Sequence, residues 1–305
     1  RTAGLPVYLM DRSMVRGQGS AITLDHGVLV PLSFFNPNWA KPVRLVVIPL
    51  SYLPLEELYH FGVIIQRAAA ELGRRVAVIA SGDLSHALKP GAPSGYDPRG
   101  AEFDRQLMEL LRKKAIKEIF NLDPVLLEKA AECGFRSLIM LLGAMDGLTQ
   151  EITVLSYQGT FGVGYGVVAF QPGGRCESLL PELSARREAI IVARRSQESA
   201  LVSYARRVVE AYVRGDKLPE AVGLEAFTQD RAGVFVSIKK HGQLRGCIGT
   251  TAPTQKNIVA EITQNAISAA TRDPRFEPIT SDELNDLTYS VDLLKPAEAI
   301  SGIAE

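Results

Sequence analysis

The chain has 305 residues, room for two hydrophobic cores when domains usually run to about 100–200 residues. Apolar residues make up 46% and charged residues 22%, with 34 Lys+Arg against 34 Asp+Glu, so no net field draws the chain to nucleic acid or anionic lipid. No apolar run approaches the roughly 18–20 residues that cross a bilayer, and Cys133, Cys176 and Cys247 form no CxxC pair. These features exclude a membrane protein, a disulfide scaffold and a structural zinc site, and they point to a reducing cytoplasm.

Near the start, Leu24-Asp25-His26-Gly27 leads into an apolar run ending Val30-Pro31-Leu32. His26 beside Asp25 suits an imidazole held in a cleft, or equally a satisfied turn histidine. Arg44 to Leu50 is a nearly continuous apolar run, as expected of a strand buried on both faces. A helix is expected from Leu55 to Leu72, stopped by Gly73, and Val76 to Ser81 reads as a second buried strand. Strand, helix, strand is a crossover unit, so the two strands should be parallel. The turn Gly82-Asp83-Leu84-Ser85-His86 then falls at a strand's C-terminal end, the edge where open α/β sheets bind ligands. His86 is the candidate acid–base group there, with Asp83 and Ser85 placed to orient its ring. His60, inside the helix, reads as structural. A hydrolase triad of Ser85, His86 and Asp83 is not expected, because adjacent residues on one loop rarely meet in that geometry.

Further helices are expected from Pro98, after Asn121-Leu122-Asp123-Pro124, and from Phe135 to Met145. Glu132-Cys133-Gly134 stands at the start of the last. A carboxylate or thiolate there is favoured by the helix dipole and could ligate a metal; the alternative is a capping carboxylate beside a buried thiol. Residues 152–157 and 163–170 read as an antiparallel pair. Gln171-Pro172-Gly173-Gly174-Arg175 breaks the pattern. The expected organisation is therefore an α/β domain over 1–172 with a mostly parallel sheet flanked by helices, a linker over 173–197 with a charged stretch from Arg186 to Arg195, and a smaller α+β domain over 198–305.

The second domain should open with an amphipathic helix from Glu198 to Val213, ended by Gly215. A hairpin follows, residues 233–238 and 244–249 around Lys240-His241-Gly242-Gln243, then a helix over 254–271, the loop Asp273-Pro274-Arg275-Phe276 and a strand over 287–294. His241 is expected to be solvated. Cys247 lacks a near base, since His241 is only a distant candidate, so Arg245, Gly246 and Cys247 suit a structural or binding role better than nucleophilic chemistry.

These motifs carry a resemblance. Leu24-Asp25-His26-Gly27 with Val30-Pro31-Leu32, then Ser81-Gly82-Asp83-Leu84-Ser85-His86, Glu132-Cys133-Gly134 and Gly159 to Phe170 resemble the LigB-type class III extradiol ring-cleavage dioxygenases and the related Memo proteins, over residues 4–171. From Glu198 onward the chain is similar to the AMMECR family, through Leu244-Arg245-Gly246-Cys247-Ile248-Gly249 and Asp273-Pro274-Arg275-Phe276. The two in this order resemble the AmmeMemoRadiSam system protein A family. The resemblance implies non-haem Fe(II) held by two histidines and a carboxylate, with open positions for a catechol-like aromatic substrate and O₂. It gives His86 the acid–base role, makes His26 a second pocket histidine, and puts a late metal ligand on Glu132 or, as in Memo, on Cys133. Asp25, Asp83 and Ser85 would line the pocket. It also implies two metal-ligating histidines ahead of the Asp-His-Gly motif, where this sequence has none, and a longer C-terminus beyond Gly302-Ile303-Ala304-Glu305. The expectation is accordingly a sequence lacking parts at both ends. The competing function is a non-catalytic scaffold that binds a peptide or a radical-SAM partner through a patch near Arg245 and Gly246.

Overall fold

Capping chemistry decides where most of the helices begin. The structure, a computed structural model, describes residues 24–34 and 44–295; the expected C-terminal extension lies outside them. Asp25 caps α1 (His26–Ser33), its Oδ1 accepting from Val28 N at 3.1 Å. Asp97 and Asp123 do the same for α3 (Pro98–Arg112) and α5 (Pro124–Ala130), each with proline at the first helical position. α2 (Leu55–Glu71) has Glu56 and Glu57 in its first turn, α4 is the single turn Ile116–Ile119, and α6 spans Phe135–Ala144. The sequence shows only an apolar run after Asp25-His26-Gly27; residues 26–33 form α1, with Pro31 inside it.

α2 and α6 meet through a glycine on each. A Cβ on Gly62 would lie 2.1 Å from Met140 O, and one on Gly143 would lie 2.0 Å from Tyr59 O, so the two backbones are in direct contact. That approach buries Leu58, Tyr59, Ile139 and Leu142 in a core completed by Phe103 and Leu107 of α3. The Tyr59 hydroxyl donates to Asp146 Oδ1 at 2.7 Å, and burial followed by that carboxylate pushes its pKa upward.

The sheet of this first unit is β1 (Leu148–Gln158) against β2 (Tyr165–Arg175), antiparallel as expected. Two expectations are corrected. Residues 44–50 and 76–81 are in no ladder, and among the described residues every strand pair is antiparallel; the parallel pair is not formed. Their side chains are largely exposed instead of buried on both faces, since nothing described lies along them as a neighbouring strand. Gln171 to Arg175 also does not break the chain: Pro172 pairs with Gln150 and Arg175 with Leu148, continuing β2. The chain divides into two compact units between Arg186 and Arg187, inside helix α7 (Leu180–Ser196), so the expected linker is filled by the end of β2 and a helix.

In the second unit α8 (Ala200–Arg214) and α9 (Ile258–Thr271) pack on an antiparallel sheet ordered β4 (Gln243–Gly249), β3 (Val234–Lys240), β5 (Leu287–Leu293). Alternation along β3 buries Val234, Val236 and Ile238 against the helices. The two-residue turn His241-Gly242 has positive φ at both positions, 50° and 81°, the conformation that matches strand twist in a tight hairpin. His241 is not simply solvated: its Nε2 lies 3.8 Å from Asp286 Oδ2.

Candidate functional site

Three short segments converge at one end of the first unit. In the 82–86 loop, Asp83 O accepts from Cys133 N at 3.2 Å and Gly134 N at 2.9 Å. Only glycines permit this approach. Gly82 has φ +155°, and a Cβ on it would lie 2.4 Å from Gly134 Cα. The third segment is the start of α1, where a Cβ on Gly27 would lie 3.9 Å from Ser81 Oγ. The start of α1 thus lies near Ser81, and His26 is exposed at its head.

The loops bring Asp83, His86 and Cys133 together, with one donor atom from each within 4.8 Å of the others. His86 Nε2 is 3.2 Å from Asp83 Oδ2 and 3.9 Å from Cys133 Sγ, while Asp83 N donates to Cys133 Sγ at 3.1 Å. All three are partly buried, and burial pushes the Cys133 thiol up.

The other expected site residues have different work. Asp25 caps α1. Glu132 Oε2 accepts from Phe135 N at 2.6 Å at the start of α6, which is the capping alternative, and burial raises its carboxyl. Ser85 does not face the His86 ring. Its hydroxyl donates to Ala130 O at 3.0 Å and accepts from Ala87 N, fully buried beneath the loop.

Two residues not singled out in the sequence hold that loop from below. Asp104, on the buried face of α3, accepts from Ser85 N and from the Tyr157 hydroxyl, each at 2.8 Å. Burial raises the Asp104 carboxyl, and its donors and the nearby His86 partly offset this. The backbone of 162–164 completes the support: Leu84 N donates to Gly164 O, and Gly164 N donates to Ser85 O at 2.8 Å. An acid inside an otherwise apolar helix stripe is the signal that marks Asp104 in the sequence.

In the second unit the Leu244-to-Gly249 motif is β4 itself. Gly246 is buried, and a Cβ there would lie 2.1 Å from Ala269 O of α9. The Arg245 guanidinium is fully engaged, by Glu283 through Nε at 3.0 Å and Nη2 at 2.9 Å, and by Glu277 O at 2.8 Å. Cys247 N donates to Asp273 Oδ2 at 2.8 Å, and Ser237 Oγ lies 3.1 Å from Cys247 Sγ. Leu244 is the exposed member of this motif and Gly246 the buried one. Arg275 and the Cys247 amide hold the Asp273 carboxyl below the usual range.

Burial opposes ionisation of Glu283, but Arg245, Lys240 and the Thr280 amide outweigh it and bring the pKa from 4.5 down to about 2. A pKa lower in the folded state adds stability that is complete above the unfolded value and is lost as pH falls through the folded one. Unfolding midpoints of the second unit should therefore decline between about pH 5 and pH 2, and Glu283→Gln should flatten that limb. An unchanged limb in urea titrations across this window would contradict it.

Residues 11–168 match the family of the catalytic LigB subunit of aromatic ring-opening dioxygenase, and residues 202–305 match AMMECR1. Protein CA_C1420 of Clostridium acetobutylicum is 38% identical over 299 residues, which are 97% of this chain and 64% of that protein. A Thermotoga maritima protein is 49% identical over 112 residues, 35% of this chain and 64% of its own length. The crystal structure of protein PH0010 from Pyrococcus horikoshii is 33% identical over 33% of this chain and 53% of its own, with a TM-score of 0.31. The chain thus spans less than two thirds of these relatives. No described helix is long and apolar enough to cross a membrane. Over its first half the chain belongs to the LigB family of aromatic ring-opening dioxygenase subunits, and it joins to that an AMMECR1 domain in its second half.

Proposed function

We propose that the LigB-type domain is a metal-dependent oxidoreductase domain acting on a catechol-like aromatic molecule with O₂, its cation held among Asp83, His86 and Cys133. The observation that carries this is the convergence of one carboxylate, one imidazole and one sulfur within 4.8 Å. Such a set fits a single divalent cation and leaves coordination positions for substrate. It is not the set of two histidines and a carboxylate that the family resemblance implies; this cluster contains one histidine, and a sulfur joins it. Fe(II) is the finer reading, and the sulfur also suits Zn(II). When bound, the cation supplies Lewis-acid polarisation of a substrate oxygen.

The chain's own residues do the rest. Asp83 Oδ2 lies 3.2 Å from His86 Nε2 and orients the imidazole, Asp104 and Ser85 fix the loop, and His86 Nε2 is the ring atom that faces the cation. With that atom committed to the cation, the proton carrier we propose is His26, exposed at the head of α1. The test is metal content after loading with Fe(II) or Zn(II), together with oxygen uptake on catechol. One equivalent of metal is expected, falling in Cys133→Ser and Asp83→Asn. His86→Ala should lose both the metal and oxygen uptake, and metal retained in that variant would remove His86 from the ligand set. Failure to bind either metal sinks the proposal and favours the scaffold that binds a peptide or a radical-SAM protein.

A further inference from the structure

We propose that residues 44–50 and 76–81 form a docking floor for β-strands supplied by a further polypeptide segment, of the kind that fills the third of the Clostridium acetobutylicum relative lying outside the match. Leu45, Val46, Val47 and Ile48 are consecutive apolar residues, the pattern of a strand covered on both faces rather than one. They are far from covered: Val46 is 81% exposed and even Ile48 is 41% exposed, and Val76 and Ile79 in the second run are 55% and 49% exposed. Contiguous apolar surface of this kind marks a contact site.

The runs are nonetheless held in place. Arg136 Nη1 donates to Leu53 O at 2.6 Å, just past the first run, and Ser137 Oγ donates to Ser81 O at 3.0 Å at the end of the second. Neighbouring residues in the first turn of α6 thus anchor both runs at one end, while α2 between them is packed into the core. Neither run joins a ladder, so both offer open backbone donors and acceptors. Open backbone edges with apolar side chains on both faces fit an extended strand, and a helix or a small molecule would leave the backbone groups unmet. The relative supplies the length: 64% of it is matched here, and the remainder is ample for several strands of about 5–6 residues.

Hydrogen exchange on the full 305-residue chain tests this, with the unmatched segment of the Clostridium protein made separately as the probe. Amides of 45–50 and 76–80 should exchange almost unprotected in the chain alone and slow by about tenfold or more when the segment is added. Val46→Lys and Val78→Lys, at exposed positions, should weaken that binding by about tenfold with an unchanged melting temperature, and Leu72→Lys should have no effect. In the intact Clostridium protein the two corresponding runs should already be protected; if they exchange freely there, the proposal falls. It falls equally if these amides are protected in the monomeric chain alone, or if protection appears only as the chain self-associates, which would make a second copy the occupant.

Discussion

Gly82→Ala should dismantle the candidate metal site and destabilise the first unit by about 2–6 kcal/mol. Two costs combine: a non-glycine residue in a left-handed backbone region, about 1–3 kcal/mol, and overpacking, typically about 1–3 kcal/mol. The new methyl would lie 2.4 Å from Gly134 Cα and 2.7 Å from Cys133 O, and neither is the movable end of a side chain. The 82–86 loop must lift from residues 132–134, and the donors of Asp83 and His86 then part from Cys133. Metal affinity should drop by about tenfold or more. Gly91→Ala is the control: its φ is +81°, but nothing lies within 4 Å of an added Cβ, so it should cost about 1 kcal/mol and spare metal binding. Urea midpoints and metal titration of both variants decide the matter. A Gly82→Ala protein with native midpoint and affinity would show that the loop contact is not needed.

The second large effect is expected at Glu261. This fully buried carboxylate, on the inner face of α9, accepts from Thr250 Oγ1, Thr254 N, Thr254 Oγ1 and Gln255 N at 2.7–2.8 Å. Burial opposes its ionisation, and these four donors outweigh it and hold the pKa below the usual range. Glu261→Ala removes the acceptor and leaves buried donors unmet, a loss of about 3–5 kcal/mol. Against a typical domain stability of about 5–15 kcal/mol, that is most of the margin at the low end of the range and a large share of it elsewhere. Glu261→Gln keeps the shape and one acceptor and should lose roughly half as much. Exchange protection of β3 amides reports the outcome, and an Ala variant as protected as the parent would contradict this role.

How much was legible follows from what each signal depends on. The helix starts at Pro98 and Pro124 were readable because an Asp before a Pro supplies the cap and the first-turn geometry locally. The hairpin at His241-Gly242 and the pairing of β1 with β2 were readable for the same reason. The Arg44–Leu50 and Val76–Ser81 runs were read as strands from their side chains, but a strand also needs a neighbour, and pairing is not written in a single run. The α1 helix was not read from its apolar run; Asp25 at its head and a solvent-facing position let a short helix form despite Pro31. Near the site, the sequence marked His86 and Cys133 and read Asp83 only as an orienting group. Its place as a third donor depends on Gly82 and Gly134 letting two segments touch, a contact across 50 residues. Glu132 was open to two readings, and the Phe135 amide makes it a cap.

The first turn of α6 sits between two things described above. Directly before it come Cys133 and Gly134, against the 82–86 loop; within it Arg136 and Ser137 grip the ends of the two apolar runs. A strand laid along those runs and a cation beside Cys133 would pull on the same few residues. Thermodynamic reciprocity then requires that whatever factor one lends to the binding of the other be returned in full. A metal titration repeated with and without the added segment would read that factor directly, as a displacement of one curve from the other.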